Sequence, residues 1–224
     1  MNNIQDFALF AKSRGVGDTY LSDYIMKGNQ NYINPTIIEE RTRNMTAMDV
    51  FSKLLSNNII YIGDPIGDEM ANVICSQLLW LDSQTDEDIM LYVNSPGGLV
   101  TAGLAIIDTL DFVHNDISTT CNGMAASMGA IILSSGKKGK RFSQPHSSIL
   151  IHNISGGTYG NIADMRIAVA ESERLSELLI DILAKNTGKT IEEVKRAIDR
   201  DKWLTPQEAI DFGLIDGIVK SKKK

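Results

Sequence analysis

The chain has 224 residues, enough for one domain with a proper hydrophobic core. Its 22 Lys and Arg against 28 Asp and Glu leave a net charge of −6, which gives no reason to propose nucleic-acid binding; the one basic run, at 220–224, reads as a solvated tail. No apolar run has transmembrane length, residues 1–30 lack a secretory pattern, and Asp6, Asp18 and Asp23 argue against a transit peptide.

Residues 1–31 carry no periodic apolar face, although Phe7, Leu9 and Phe10 suit a short helix. Gly15, Gly17, Asn29, Gln30 and Asn31 read as flexible chain, so a flexible extension is expected at 1–31 and a single domain at 32–224. Asn34-Pro35 is a turn-like break before strand-like Thr36-Ile37-Ile38. Met48, Phe51 and Leu55 fall on one stripe and predict a helix over 46–55, with Thr46 as its N-cap. A strand follows at 58–62. Met70, Val73, Ile74, Leu78 and Leu81 then repeat at helical spacing. The strand expected at 88–93 is broken by Asn94-Ser95-Pro96-Gly97-Gly98. Val100, Leu104, Ile107 and Leu110 mark the next helix.

A strand at 117–121 leads into a buried helix at 125–133. Gly136-Lys137-Lys138-Gly139 is a turn, and a strand at 148–151 ends at His152. Gly156-Gly157 is a loop before a long helix over 162–185. Thr190 to Glu193 is a capping box that opens a helix reaching about Arg200. Thr205-Pro206-Gln207-Glu208 is a second one, whose helix stops at Gly213 before a closing strand at 214–219. Strands alternating with helices predict an α/β fold with largely parallel pairing and functional groups at the carboxyl ends of strands.

The stretch Gly123-Met124-Ala125-Ala126-Ser127-Met128-Gly129-Ala130 sets one hydroxyl among residues with almost no side chain. Ser127 falls between a strand and a helix start, where free N–H groups favour negative charge; it reads as an activated nucleophile or as a plain capping serine. Gly97-Gly98 also lies between strand and helix. No Lys-Ser/Thr follows it, as a phosphate loop would need, and an oxyanion hole shared with the Met128 N–H is the better match. His152 is the best-placed general base, with His114 and His146 in more polar turns. Spacing does not choose among Asp164, Asp181, Asp199 and Asp201 for a partner acid. Cys75 and Cys121 sit in apolar or small-residue runs and read as buried free thiols. Three histidines without paired Cys/His spacing draw no metal site.

Five stretches, in order, give the chain a resemblance to the Clp (caseinolytic) protease proteolytic subunit family. They are Asn94 to Gly98, Gly123 to Met128, Gly139-Lys-Arg-Phe142 with Pro145, Ile151-His152, and Arg200 to Leu204; the likeness runs from about residue 34 to the end. The resemblance implies an ATP-dependent serine endopeptidase with Ser127 as nucleophile, His152 as base and Asp201 as orienting acid. It implies an oxyanion hole of the Gly98 and Met128 N–H groups. It further implies a ββα spiral related to the crotonase fold, with a helical handle at about 153–185 between two stacked heptameric rings. The expected partners are copies of the chain itself, a hexameric AAA+ unfoldase that spends the ATP, and unfolded protein substrates. No nucleic acid, membrane, metal or cofactor is expected, and the location is cytoplasmic. The unfoldase would dock on an apolar pocket of Met90, Tyr92, Phe112, Phe142 and Val219.

Two departures stand out. Asn153-Ile154 follows the histidine where the family usually has Gln-Pro, and Thr120, Asn122 and Gln144 are more polar than its docking pocket usually is. The rival readings are a catalytically silent ring subunit in a mixed assembly and a crotonase-like acyl-CoA enzyme. In the family a short leader is often self-removed, and Gly28 to Pro35 is polar enough to be such a zone.

Overall fold

The computed structural model describes residues 36–41 and 44–220, with side chains from residue 48 onward. The extension expected at 1–31 and the processing zone at 28–35 lie outside the described residues. The chain divides into two compact units, Met1–Lys53 and Leu54–Lys224.

In the first unit β1 (Thr36–Arg41) and β2 (Asn44–Asp49) form an antiparallel hairpin, Thr36 opposite Asp49. The helix expected from residue 46 therefore begins four residues late, as α1 (Val50–Leu55). The cap is Asp49, not Thr46: its carboxylate accepts the Phe51 and Ser52 N–H groups at 2.9 and 3.1 Å. Strand pairing has claimed Thr46, which sits opposite Glu39.

The second unit is built on one sheet. Its elements run β3 (Ile59–Ile62), α2 (Asp68–Asp82), β4 (Ile89–Ser95), α3 (Val100–Phe112), β5 (Ile117–Ala126), α4 (Met128–Ser134), β6 (Arg141–Ser143), β7 (Ser148–Ile151), α5 (Ile162–Thr187), α6 (Ile191–Ile198), β8 (Lys202–Leu204), α7 (Pro206–Phe212) and β9 (Gly217–Ile218). Strands β3, β4, β5, β6 and β9 lie side by side and parallel. β5 is longer than expected and, on the edge away from β4, serves two neighbours. Its first half pairs with β6, its second half with β7, and the positive φ of Gly123 lies between them. β8 adds to β7 antiparallel. β6 and β8, three residues each, were not predicted.

One face of the sheet is apolar. Ile60, Ile62, Ile89, Leu91, Val93, Ile117 and Cys121 are buried in one core with Ile74, Leu78, Ile106 and Leu110 of the helices. Tyr61, Met90 and Tyr92, one residue out of phase, are half-buried or exposed. Both predicted capping boxes form, at Thr190/Glu193 and Thr205/Glu208, and Gly188 and Gly213 end their helices in the left-handed conformation. Cys121 is buried and Cys75 only half-buried; both are free, and burial pushes the Cys121 thiol up to about 11.

Arg141 ties the layers together. Its side chain is 4% exposed and grips Asp216 through Nε and Nη2 at 2.9 and 2.7 Å. Nη1 donates to the carbonyls of Ser134 and Asn186, at the C-terminal ends of α4 and α5, where a cation is favoured.

Candidate active site

Ladder register brings three strand ends together. β7 runs parallel to the second half of β5, with Ala126 opposite Leu150, and the Ser127 N–H donates to the Leu150 carbonyl at 2.9 Å. Ser127 therefore leaves β5 beside the strand that delivers His152. On the other side of β7, Ile151 pairs with Lys202 of antiparallel β8. One step further along that ladder, His152 meets Asp201, and Nδ1 lies 3.3 Å from the Asp201 Oδ1. The His152 side chain is 24% exposed and that of Asp201 67%.

The other acids and histidines lie elsewhere. Asp199 faces Arg200 at 3.9 Å, Asp164 is on the first turn of α5 against Asn161, and Asp181 is exposed on α5. His114 pairs with Asp82 at 3.4 Å, and His146 is exposed.

Ser127 is the N-cap of α4, but not by its side chain. Its carbonyl accepts the first helical bonds from Ala130 and Ile131, and its Oγ has no hydrogen-bond partner among the described residues. Its φ of 55° with ψ of −124° is a conformation that non-glycine residues rarely hold. Met128 turns its side chain into the core against Gly103, while its backbone nitrogen lies beside Gly97.

Opposite lies the Gly97-Gly98 loop. A Cβ on Gly97 would stand 2.6 Å from the Ser127 Cβ and 3.1 Å from the Met128 nitrogen, so only glycine allows this approach. Ile66 straps the loop: its N–H donates to the Gly97 carbonyl and its carbonyl accepts from Leu99, both at 2.8 Å. That parallel bridge turns the Gly98 N–H away from Ile66, and like the Met128 N–H it has no protein acceptor among the described residues. Ser95 supports the turn from below, its Oγ accepting the Gly97 N–H and donating to the Asp64 carbonyl. Asn94 accepts the Met124 N–H at 3.2 Å. The supports from Ile66 and Ser95 were not foreseen; they join segments too far apart for any local pattern to register.

The residues assigned to a docking pocket sit mostly on the open face of the sheet. Tyr61, Tyr92, Thr120, Phe142 and Gly217 form one row across β3, β4, β5, β6 and β9. The Tyr61 and Tyr92 rings stack at 6.3 Å, and the Asn122 amide donates to the Tyr61 hydroxyl at 3.2 Å. Met90 is one row away, and Val219 and Gln144 bond to the backbone of Ser143 and Cys121. Phe112 is the last residue of α3, 70% exposed, and belongs to the helix layer.

Comparison with known proteins places the chain in a family. The Clp protease family model matches residues 42–222. The chain is 44% identical over 225 residues to the "ATP-dependent Clp protease proteolytic subunit" of Porphyromonas gingivalis, covering 100% of both chains. A match over nearly all of the sheet and helices, joined to full-length similarity, carries one conclusion: the chain belongs to the Clp protease family, as a proteolytic subunit.

Proposed function

We propose that the chain is a serine endopeptidase in which Ser127 is the nucleophile, His152 the general base and Asp201 the acid that orients it. The observation that carries this reading is the β7–β8 register, which sets His152 Nδ1 3.3 Å from Asp201 next to the strand that ends at Ser127. Asp201 accepts a hydrogen bond from Nδ1–H, which fixes the tautomer and leaves Nε2 free to take the serine proton. Ser127 Oγ attacks the scissile carbonyl carbon, and the oxyanion forms against the Gly98 and Met128 N–H groups. His152 passes the proton to the leaving amine, and a water then repeats the sequence to release the acyl group. The free Ser127 Oγ suits this, since catalytic hydrogen bonds often close only with substrate bound.

Extended substrate pairs as an added strand along Gly97 to Val100 and the segment after His152, so affinity comes from backbone bonds with little side-chain selection. The chain itself uses no cofactor or metal. The location that goes with this reading is cytoplasmic. Among the described residues no helix is long and apolar enough to cross a membrane.

The working form is two stacked heptameric rings fed by a hexameric AAA+ Clp unfoldase. Residues 153–185 are the handle between rings: α5 buries nothing before Leu179, yet leaves Ile162, Ile167 and Val169 exposed, with Tyr159 97% exposed beside them. The unfoldase docks on Met90, Tyr92, Phe142 and Val219, with Phe112 supplied by a neighbouring subunit. Thr120, Asn122 and Gln144 make that pocket more polar, so the partner's loop carries a hydrogen-bonding group as well as an apolar anchor.

Fluorophosphonate labelling tests the chemistry. The purified protein should gain one adduct per chain, lost in Ser127→Ala. A protein that cleaves peptide but takes no label at Ser127 overturns the assignment. An unlabelled and inactive protein would be the silent ring subunit.

A further inference from the structure

After His152 the chain has Asn153-Ile154, where the resemblance leads one to expect Gln-Pro. We propose that Asn153 is a positioning residue: it fastens the catalytic histidine to helix α5 through Ser176. The inference rests on the serine-peptidase reading of the site.

Asn153 is held in three directions. Its N–H donates to the carbonyl of Ile198 at 2.9 Å, the last residue of α6 and three before Asp201. Its Oδ1 accepts the N–H of Ile154 at 2.8 Å and the hydroxyl of Ser176 at 2.7 Å. One residue thus touches the turn that carries the acid, the chain next to the base, and the handle helix.

Ser176 is unusual on its own helix. A helical serine commonly bonds the carbonyl four residues back, as Ser172 does with Ala168. Ser176 instead reaches across to Asn153. A groove of about 480 Å³ separates residues 153–158 from the α5 face at Ala168 to Ser176. Among the described residues, the Asn153–Ser176 bond is the sole hydrogen bond that crosses it. Ser176 also stands one turn before Leu179 and Ile180, where α5 first enters the core. The clasp is therefore anchored on the fixed end of the helix. A proline after the histidine would stiffen this segment through its ring. Asn153 restrains it through a side chain instead, with the Ile154 N–H that a proline would lack.

The experiment measures peptide kcat and KM per fluorophosphonate-titrated site, with thermal unfolding alongside. Ser176→Ala should lower kcat about tenfold, the worth of one hydrogen bond in the transition state. KM and the unfolding temperature should hold, and Ser176→Thr, which keeps the hydroxyl, should restore kcat. In an Asn153→Ala background Ser176→Ala should cost nothing more, because the bond is already gone. Ser172→Ala, one turn away, should match the parent. Unchanged kcat in Ser176→Ala, additive losses in the pair, no rescue by threonine, or equal damage from Ser172→Ala would each overturn the proposal. A parent that labels at Ser127 while Ser176→Ala is fully active sinks this inference alone; a parent that does not label sinks both readings.

Discussion

Ser127 holds a backbone conformation that its side chain disfavours, with φ at 55°. Such strain costs about 1–3 kcal/mol and is retained where surrounding structure dictates it. Here the β5–β7 ladder on one side and the closely packed Gly97 on the other leave the residue no alternative. Two inactive variants separate chemistry from strain. Both Ser127→Ala and Ser127→Gly should lose peptidase activity, by roughly 10⁶-fold as triad serines do. Only glycine relieves the strain, so Ser127→Gly should unfold at a temperature a few degrees above Ser127→Ala, about 1 kcal/mol after the entropy of glycine is subtracted. Equal unfolding temperatures would mean that Ser127 stores no strain. Asp201→Asn should lower turnover by about 10⁴ through loss of the correct imidazole tautomer, while Asp199→Asn should leave it near the parent. Near-parental turnover in Asp201→Asn would point to another acid or to a dyad.

At the scale of elements, the long helix α5 and the short strands matter most. Ile154→Pro would remove the N–H that bonds the Asn153 Oδ1. We expect lower activity from it, with sedimentation showing whether the state of assembly changes as well; a gain in activity would mean that the N–H has no role. The long elements were legible: the helices α2, α3 and α5 and both capping boxes follow from periodicity and from Thr and Glu three apart. β8 was not. Three residues, Lys202-Trp203-Leu204, span too little chain for a period, and charged neighbours made the stretch look like a solvated helix end. That one omission is why residue spacing left the acid unchosen, since Asp201 is defined by β8's register and only the family likeness singled it out. α1 was misjudged for a related reason. Met48 and Phe51 suit a helical stripe, but the pairing of Met48 with Ile37 is a contact between segments and prevails over local preference.

For the whole molecule, the Arg141–Asp216 pair is the main electrostatic tie between β6, β9 and the ends of α4 and α5. Burial pushes the Asp216 carboxyl up, but the Arg141 guanidinium and the N–H groups of Arg141 and Gly139 outweigh it and hold the group below the usual carboxylate value. A carboxyl depressed by folding stabilises the fold above its unfolded value, about 3.9, and that stabilisation is lost as pH falls through the folded value. Asp216→Asn, which strands a buried guanidinium, should cost about 3–5 kcal/mol near neutral pH. The gap to the parent should close below about pH 4 in urea titrations. A gap that stays constant with pH would show that the loss is one of packing alone. The antiparallel joining of β8 to β7 has a consequence for how the molecule is made. His152 and Asp201 are 49 residues apart, and a growing chain emerges with its N-terminal part first. Ser127 and His152 leave the ribosome well before the strand that brings Asp201, so on the proposed reading an unfinished copy lacks the carboxylate that orients its histidine. If the triad is as proposed, delay in assembling the last ladder would act as a safety catch, built from chain order rather than from an inhibitor.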